Sequence, residues 1–112
     1  MLLSGIDIGG TSIKFGIFDE QLNLLQQWSR PTPKEPAEAA ALIAAQLEPY
    51  HVAVIGAGAP GTLNAARETI TADNLAWVDV PLAALLRRAS GLPAVVINDG
   101  HAAMLAEMRS GA

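Results

Sequence analysis

The 112-residue sequence contains no cysteine, and this absence removes two classes of structure at once. Disulfide bonds and thiolate zinc sites both need the cysteine sulfur, so neither can form within this chain. Long apolar runs are missing as well, because no stretch reaches the roughly 18 residues that a membrane-spanning helix needs. Asp7 interrupts the opening MLLSGID so early that we expect no signal peptide. These features are typical of a cytoplasmic protein.

Charged residues are also scarce, at 16% of the sequence against 51% hydrophobic residues. The formal net charge is -4, and the few basic residues are scattered along the chain. Because binding to a nucleic-acid backbone requires clustered Lys and Arg, we do not expect nucleic acid as a partner. A chain of this length and apolar content can bury a core of its own, so we expect one domain.

The pattern of apolar residues predicts that the chain begins with three strands. They cover residues 2–8, 12–19 and 22–30. In the second strand Ile13, Phe15 and Ile17 alternate with polar or small residues, which predicts one buried face. Short turns connect the three strands, so we expect an antiparallel meander.

The rest of the chain alternates strands with helices, which is typical of an α/β fold with a partly parallel sheet. One predicted strand lies in 51–61, where it runs into a Gly/Pro loop, and another is 93–99; the predicted helices are 35–48, 81–91 and 100–110. Proline near the start of the first two helices and glycine at the end of the second support these bounds. Between the strands, residues 62–80 are predicted to be irregular, with a short strand pair around residues 63 and 69–70.

A glycine-rich turn separates the first two strands in DIGGTSIKFGIFD, residues 7–19. Gly9, Gly10 and Thr11, here called the glycine turn, can expose successive backbone N–H groups that hold a phosphate. Thr11 adds a hydroxyl, and Asp7 could hold Mg²⁺ directly or through water. Together these groups would suit the terminal phosphates of a nucleotide. The alternative is an ordinary hairpin in which the glycines serve only the turn.

Two further stretches combine strand ends with polar or glycine residues. In IGAGAPGTLN (55–64) a strand runs into glycines and a proline, whose exposed backbone could bind a small polar ligand or have no role. In VVINDGHAAMLAE (95–107) Asn98 and Asp99 stand where a strand becomes a helix. Asp99 is either a helix N-cap or a base directed at a substrate hydroxyl, kept ionised by the helix N-terminus. His101 is interpreted as a surface or interface residue.

In order as well as in content, these stretches resemble the ROK family of sugar kinases (repressor, open reading frame, kinase). GIDIGGTSIKFGIFD is similar to the family's amino-terminal phosphate loop, and IGAGAPGTLN to its GxGxPG sugar loop. ADNLAWVDVPLAALL (72–86) resembles the P-N-L-x-W segment, and LPAVVINDGHAAMLAE resembles L-P-V-x-x-x-N-D-A-x-x-A-A-x-x-E. The PTP at 31–33 stands where the family often has it. Two departures are Ser12, where many members have Lys, and residues 100–101, which replace Ala-Asn.

The resemblance implies an actin-like ATPase fold of ribonuclease-H-like topology. The implied sheet is mixed and five-stranded, with three antiparallel amino-terminal strands and flanking helices. The resemblance also implies that residues 1–112 are the amino-terminal lobe of a kinase, without the carboxyl-terminal lobe that carries the adenosine pocket and the zinc motif. The implied reaction transfers a phosphoryl group from ATP, with Mg²⁺, to a hydroxyl of a hexose or N-acetylhexosamine.

The same resemblance implies roles for individual residues. Asp99 would be the catalytic base that accepts the proton of the sugar hydroxyl. The residues implied to face the ATP phosphates and Mg²⁺ are Asp7, Gly9, Gly10, Thr11, Ser12 and Lys14. The residues implied to bind the sugar are Gly61, Asn74, Asn98 and Asp99. No zinc site is expected in this chain.

Three interpretations of the whole chain follow. The first is a lobe of a sugar kinase that is inactive alone and binds ATP weakly or not at all. The second is a non-catalytic, self-associating domain or an engineered half-kinase. Whether the chain is a kinase lobe or such a domain, we expect it to form a homodimer through the apolar helix predicted at 100–110. The third is a repressor of the same family. Those repressors carry a winged helix ahead of the phosphate loop, and we do not favour this interpretation because the phosphate loop begins near residue 5.

Overall fold

The structure is a computed structural model and describes residues 1–98. It contains eight strands, two α-helices and two short 3₁₀ turns within those residues. In chain order the elements are β1 (Leu3–Ile8), β2 (Ser12–Phe18), β3 (Leu24–Pro31), α1 (Pro36–Leu47), a 3₁₀ turn (Glu48–Tyr50), β4 (Ile55–Ala59), β5 (Thr62–Asn64), β6 (Thr69–Ala72), a 3₁₀ turn (Asp73–Leu75), β7 (Trp77–Val80), α2 (Leu82–Ser90) and β8 (Ala94–Asn98).

The main sheet has five strands in the order β3-β2-β1-β4-β8. β1 pairs with β2, and β2 with β3, in antiparallel fashion, whereas β4 and β8 run parallel to β1. The mixed five-stranded sheet predicted from the sequence is therefore confirmed. In its register Asp7 of β1 lies between Lys14 of β2 and Gly58 of β4.

One face of this sheet forms the hydrophobic core with α1 and α2. Ile13, Phe15 and Ile17 are buried there, as their alternation in β2 predicts. The buried residues of α1 form a stripe at helical spacing, and they are Ala39, Ala40, Ile43 and Leu47. Burying one such large aliphatic side chain stabilises the fold by roughly 1.5–3 kcal/mol, so this stripe fixes the helix on the sheet.

A second, three-stranded sheet covers most of the segment predicted to be irregular. The predicted short pair is confirmed as β5 and β6, but the sequence prediction is wrong about β7, which extends this sheet in the order β5-β6-β7. β7 does not show the alternation of a half-buried strand, because two exposed residues separate its buried ends. Ala76 and Asp79 also have positive φ values of 55° and 53°, which bend the chain at both ends of the strand.

The helix predicted at 100–110, together with Asp99 and His101, lies outside the described residues. Within residues 1–98, no helix is long and apolar enough to cross a membrane.

Candidate functional site

The carboxyl ends of three parallel strands meet at one edge of the main sheet. β1 ends at Ile8, directly before the glycine turn, and β4 ends at Ala59, directly before Pro60 and Gly61. β8 ends at Asn98, whose backbone is paired with Ala59. Loops at the carboxyl ends of neighbouring parallel strands commonly form ligand sites. The fold thus brings the predicted phosphate segment, sugar loop and strand end before Asp99 to the same edge.

Gly9 and Gly10 of the glycine turn leave little room for a side chain, and their backbone conformation is not one that favours glycine. Neither Gly9 nor Gly10 has a positive φ. A Cβ on Gly9 would lie 2.9 Å from the Ser12 carbonyl oxygen, and one on Gly10 would lie 3.0 Å from Asn74 Nδ2. A side chain at Gly9 would therefore push the turn away from the Ser12 backbone, whereas one at Gly10 would require the Asn74 amide to shift by a few tenths of an ångström.

The N–H groups at the tip of the glycine turn remain available to a ligand. The Gly9 N–H donates to the Ser12 carbonyl at 2.9 Å and closes the turn. The N–H groups of Gly10 and Thr11 make no hydrogen bond to any of residues 1–98, and both residues are exposed. Two unused donors beside a threonine hydroxyl can bind an anion such as a phosphate.

Asp7 and Lys14 lie opposite each other on the sheet face that is turned away from α1 and α2. A cavity of about 120 Å³ opens on that face, lined by both residues together with Gly5 and Gly16. Asp7 is half-buried and Lys14 is exposed, and the ion pairs of residues 1–98 do not include them. Lys14 therefore keeps its charge accessible to an anionic ligand.

The acidic groups near this edge suit Mg²⁺ only as part of a metal–nucleotide complex. Within the described part of the chain, no three His, Asp or Glu side chains are close enough together to form a metal site. Mg²⁺ usually keeps several waters and takes one or two carboxylates together with substrate phosphates. Asp7, as a single carboxylate beside the glycine turn, matches that pattern.

Gly61 and Asn74, both predicted to bind sugar, lie in different surroundings. Gly61 has a φ of +97°, and a Cβ there would overlap the Thr71 carbonyl and lie 2.9 Å from the Ala72 Cα. Gly61 thus lets the segment between β4 and β5 pack tightly against β6. Asn74 lies in the 3₁₀ turn before β7, and its amide nitrogen faces Gly10. Asn74 is consequently close to the glycine turn, which its sugar assignment did not anticipate.

An open pocket of about 800 Å³ adjoins the glycine turn. Gly10, Thr32, Asn74 and Trp77 are among its lining residues. Trp77 is buried, and its indole N–H donates to the Lys34 carbonyl at 2.8 Å. Thr32 had no role assigned from the sequence, although it stands in the PTP segment, because its contacts are with residues more than 20 positions earlier. The Pro-Thr-Pro pattern at residues 31–33 is the sequence feature that could have identified Thr32.

Of the residues that the sequence assigned to the sugar, Asn98 belongs to the end of β8. Asn98 is the last residue of that strand, and its backbone register with Ala59 brings it to the site edge. Asp99 lies outside the described residues, so its predicted role as base rests on the sequence. Ser12, in contrast, is half-buried as the first residue of β2 and accepts the closing hydrogen bond of the glycine turn through its carbonyl.

Carboxyl groups with altered acidity lie away from this edge. The backbone N–H and side chain of Asn23 donate to Asp19 and lower its pKa, and Gln21 adds a further backbone donor. The pKa of Asp79 is lowered by the Thr69 hydroxyl and then by Arg67. Asp19 fixes the turn after β2, Asp79 links β7 to β6 and Arg67, and neither lines the candidate site.

Comparison with known proteins agrees with this arrangement. The model of the ROK family matches residues 3–112. The chain is 37% identical over 115 residues to a glucokinase of Streptomyces coelicolor, an alignment that covers 98% of this chain and 36% of that protein. It is 34% identical over 110 residues to an N-acetylmannosamine kinase of Yersinia pestis, covering 94% and 38%.

Among solved structures, a glucokinase from Streptomyces griseus in complex with glucose and AMPPNP is similar to the chain, with a TM-score of 0.84 at 36% identity. That match covers 100% of this chain and 38% of the other. The chain therefore spans little more than a third of the length of these three relatives.

Proposed function

The chain belongs to the ROK family, whose fold it shares, and from that premise we propose that it is the amino-terminal lobe of an ATP-dependent sugar kinase. The observation that carries this proposal is the meeting of the β1, β4 and β8 carboxyl ends at one edge. That edge unites a segment suited to phosphate, a loop suited to sugar and the strand that leads to Asp99.

In the proposed reaction, a sugar hydroxyl oxygen attacks the terminal phosphorus of ATP, and the bond to the ADP oxygen breaks. Asp99 accepts the proton of the attacking hydroxyl, with Asn98, Asn74 and Gly61 around the sugar. The N–H groups of the glycine turn and the charge of Lys14 bind the phosphates. Mg²⁺, held at Asp7, would neutralise part of the phosphate charge. Such a reaction depends mainly on positioning and electrostatics.

The relatives support a hexose or an N-acetylhexosamine as the acceptor, because one is named a glucokinase and another an N-acetylmannosamine kinase. ATP as the donor is supported by the relative that was solved with AMPPNP. The residues that would contact adenine and ribose are expected in a second lobe, so we propose that the 112-residue chain alone is inactive. A non-catalytic, self-associating domain is the alternative.

An assay of ADP release by the intact protein tests this proposal. ATP is supplied with glucose, mannose, fructose, allose or N-acetylmannosamine in turn, and we expect turnover with at least one of them. Absence of turnover across the whole panel would contradict the kinase proposal and favour the non-catalytic alternative.

The role of Asp99 is tested by Asp99→Asn in the same protein. Removing the base should lower kcat by roughly 10²-fold or more while sugar binding persists, because phosphoryl transfer needs little other covalent help. Asp19→Asn is a matched control, since Asp19 follows β2 at the opposite edge of the sheet. If Asp99→Asn retains a near-normal kcat, Asp99 is not the base.

A further inference from the structure

Thr32 holds the glycine turn through two hydrogen bonds. The Thr32 hydroxyl donates to the Gly9 carbonyl oxygen at 2.8 Å, and the Thr32 backbone N–H donates to the Thr11 carbonyl oxygen at 3.0 Å. Both bonds come from one residue directly after β3 and reach carbonyls on either side of the turn's tip. Two of the turn's carbonyls are therefore directed toward Thr32.

The direction of the Gly9 carbonyl determines the direction of the next N–H group. A trans peptide is planar, so its C=O and N–H point to opposite sides. The Gly9 carbonyl and the Gly10 N–H belong to the same peptide, and no cis peptide occurs in the described residues. With its carbonyl held by Thr32, this peptide presents the Gly10 N–H on the side away from Thr32. That N–H makes no hydrogen bond within residues 1–98.

Thr32 lies between two prolines, Pro31 and Pro33, which restrict the backbone on both sides of it. Proline restricts its own φ and keeps the residue before it extended. Two residues further, the carbonyl of Lys34 accepts a hydrogen bond from the buried Trp77. The hydroxyl that reaches Gly9 is therefore attached to a segment with little freedom, which suits it to fix a neighbouring turn.

We propose that Thr32 is a positioning residue for phosphate binding. Its hydroxyl holds the Gly9 carbonyl so that the Gly10 N–H is already aimed at the ligand before the ligand binds. Preorganised donors bind developing or fixed negative charge without a cost of reorientation. This inference rests on the proposed function, since it names the residue that organises the phosphate half of the same site.

The main experiment compares Thr32→Val with Thr32→Ser in the intact kinase. Valine has a similar shape and keeps the backbone N–H, but it cannot donate to Gly9. Loss of one net hydrogen bond predicts that KM for ATP rises roughly five- to tenfold, whereas KM for the sugar stays unchanged. Serine retains the hydroxyl and should restore KM for ATP to near its original value.

A purely structural role gives a different pattern. Loss of folded protein lowers the apparent kcat and leaves KM for both substrates unchanged, so that result overturns the inference. Failure of Thr32→Ser to restore KM for ATP overturns it as well. Ser90→Ala is the control, because it removes a hydroxyl whose hydrogen bonds are to Leu86 and Leu92 and not to the glycine turn, so KM for ATP should not change.

A second measurement separates this inference from the proposed function. The amide signals of Gly10 and Thr11 are followed by NMR while sodium tripolyphosphate is added at millimolar concentration to the 112-residue chain. We expect both signals to shift in the original chain and with Thr32→Ser, and the shift at Gly10 to be lost with Thr32→Val. Should no sugar be phosphorylated, this titration still decides the role of Thr32. Equal shifts in all variants, or no shift in the original chain, overturn it.

Discussion

Gly61 and Gly91 both have a positive φ, but a side chain would meet different surroundings at the two positions. At Gly61 an added Cβ overlaps the Thr71 carbonyl, whereas at Gly91 nothing lies within 4 Å. Gly91 ends α2, where a left-handed residue lets its N–H bond back to the helix, here to Arg87. Conformation alone requires glycine at the helix end, whereas conformation together with contact requires it at Gly61, between β4 and β5.

We predict that Gly61→Ala lowers the free energy of unfolding by about 3 kcal/mol or more, and that Gly91→Ala lowers it by about 1 kcal/mol. The second variant measures the conformational cost, and the difference between the two measures the clash with β6. Urea unfolding of both variants provides the comparison. Equal losses would mean that the loop moves away from β6 without cost.

Asp79 illustrates how a charged residue stabilises an unusual backbone conformation. Its φ is 53°, its N–H donates to the Thr71 hydroxyl, and its carboxylate accepts hydrogen bonds from Thr69 and Arg67. These donors, that of Thr69 first, hold the pKa of Asp79 below its ordinary value of 3.8. A lowered folded-state pKa means that the stabilisation is present at neutral pH and is lost as the pH falls through the folded-state value.

We predict that Thr69→Val raises the pKa of Asp79 toward 3.8, because the largest favourable hydrogen bond is lost. Titration of the side-chain carboxyl carbon by NMR measures this change. Stability should also become less dependent on pH below about 4, since the folded and unfolded pKa values approach each other. Thr62→Val, on the neighbouring strand β5, is the control and should leave the titration of Asp79 unchanged. An unaltered pKa in Thr69→Val would contradict the assigned cause.

At the scale of elements, Trp28 joins the edge strand β3 to the carboxyl end of α1. Its ring is stacked between those of Phe15 and Tyr50, with centroid distances of 5.0 Å and 5.2 Å. Its indole N–H donates to Gln46 Oε1 at 2.9 Å. Aromatic pairs of this kind contribute roughly 0.5–1.5 kcal/mol beyond the area that they bury.

We predict a coupling of about 1 kcal/mol between Trp28 and Gln46 in a double-mutant cycle of Trp28→Phe and Gln46→Leu. Phenylalanine keeps a ring in the stack but has no N–H, so the cycle isolates the hydrogen bond. Unfolding in urea gives the four stabilities. A cycle of Trp28→Phe with Gln27→Leu is the control and should be additive, because Gln27 lies on the opposite face of β3 from Trp28. Additivity in both cycles would show that the bond contributes nothing.

The elements that the sequence predicted well are those with a clear period. β2 alternates, α1 carries a helical stripe, and α2 ends in glycine, so each was found to within a few residues. β7 was missed because its exposed residues are adjacent and because Ala76, directly before it, and Asp79, within it, are in left-handed conformations. Contacts that link distant segments, such as that of Thr32 with Gly9, were not predictable, since no local pattern records which carbonyl a hydroxyl will reach.

At the scale of the whole molecule, we retain the proposal that the 112-residue chain self-associates. The sequence of residues 100–110 carries six apolar side chains, which are Ala102, Ala103, Met104, Leu105, Ala106 and Met108. A kinase of which this chain is one lobe would cover part of that surface with its second lobe. A twofold arrangement of two chains lets one apolar patch cover another.

We predict a dimer mass by light scattering at high micromolar concentration, and a monomer mass after Met104→Glu or Leu105→Glu. The control is Leu25→Glu on β3, an exposed apolar residue of the main sheet, which should leave the dimer intact. A constant monomer mass across the concentration series would exclude the dimer. Dissociation of the dimer by Leu25→Glu would show that the dimer interface lies at the β3 edge of the main sheet.

Because β1 lies in the middle of the main sheet, one of its two sides remains unpaired for part of the protein's synthesis. β1 is synthesised before β2 and β4 and soon pairs with β2 on one side, but its other side waits for β4, so that the Ser4 N–H finds the Val54 carbonyl only 50 residues later. At translation rates of roughly 5–20 residues per second, that side stays unpaired for a time on the order of seconds. An open strand edge can pair with other chains. The interval between synthesis of β3 and synthesis of β4 is therefore the one in which this edge of β1 is open to pairing with other chains.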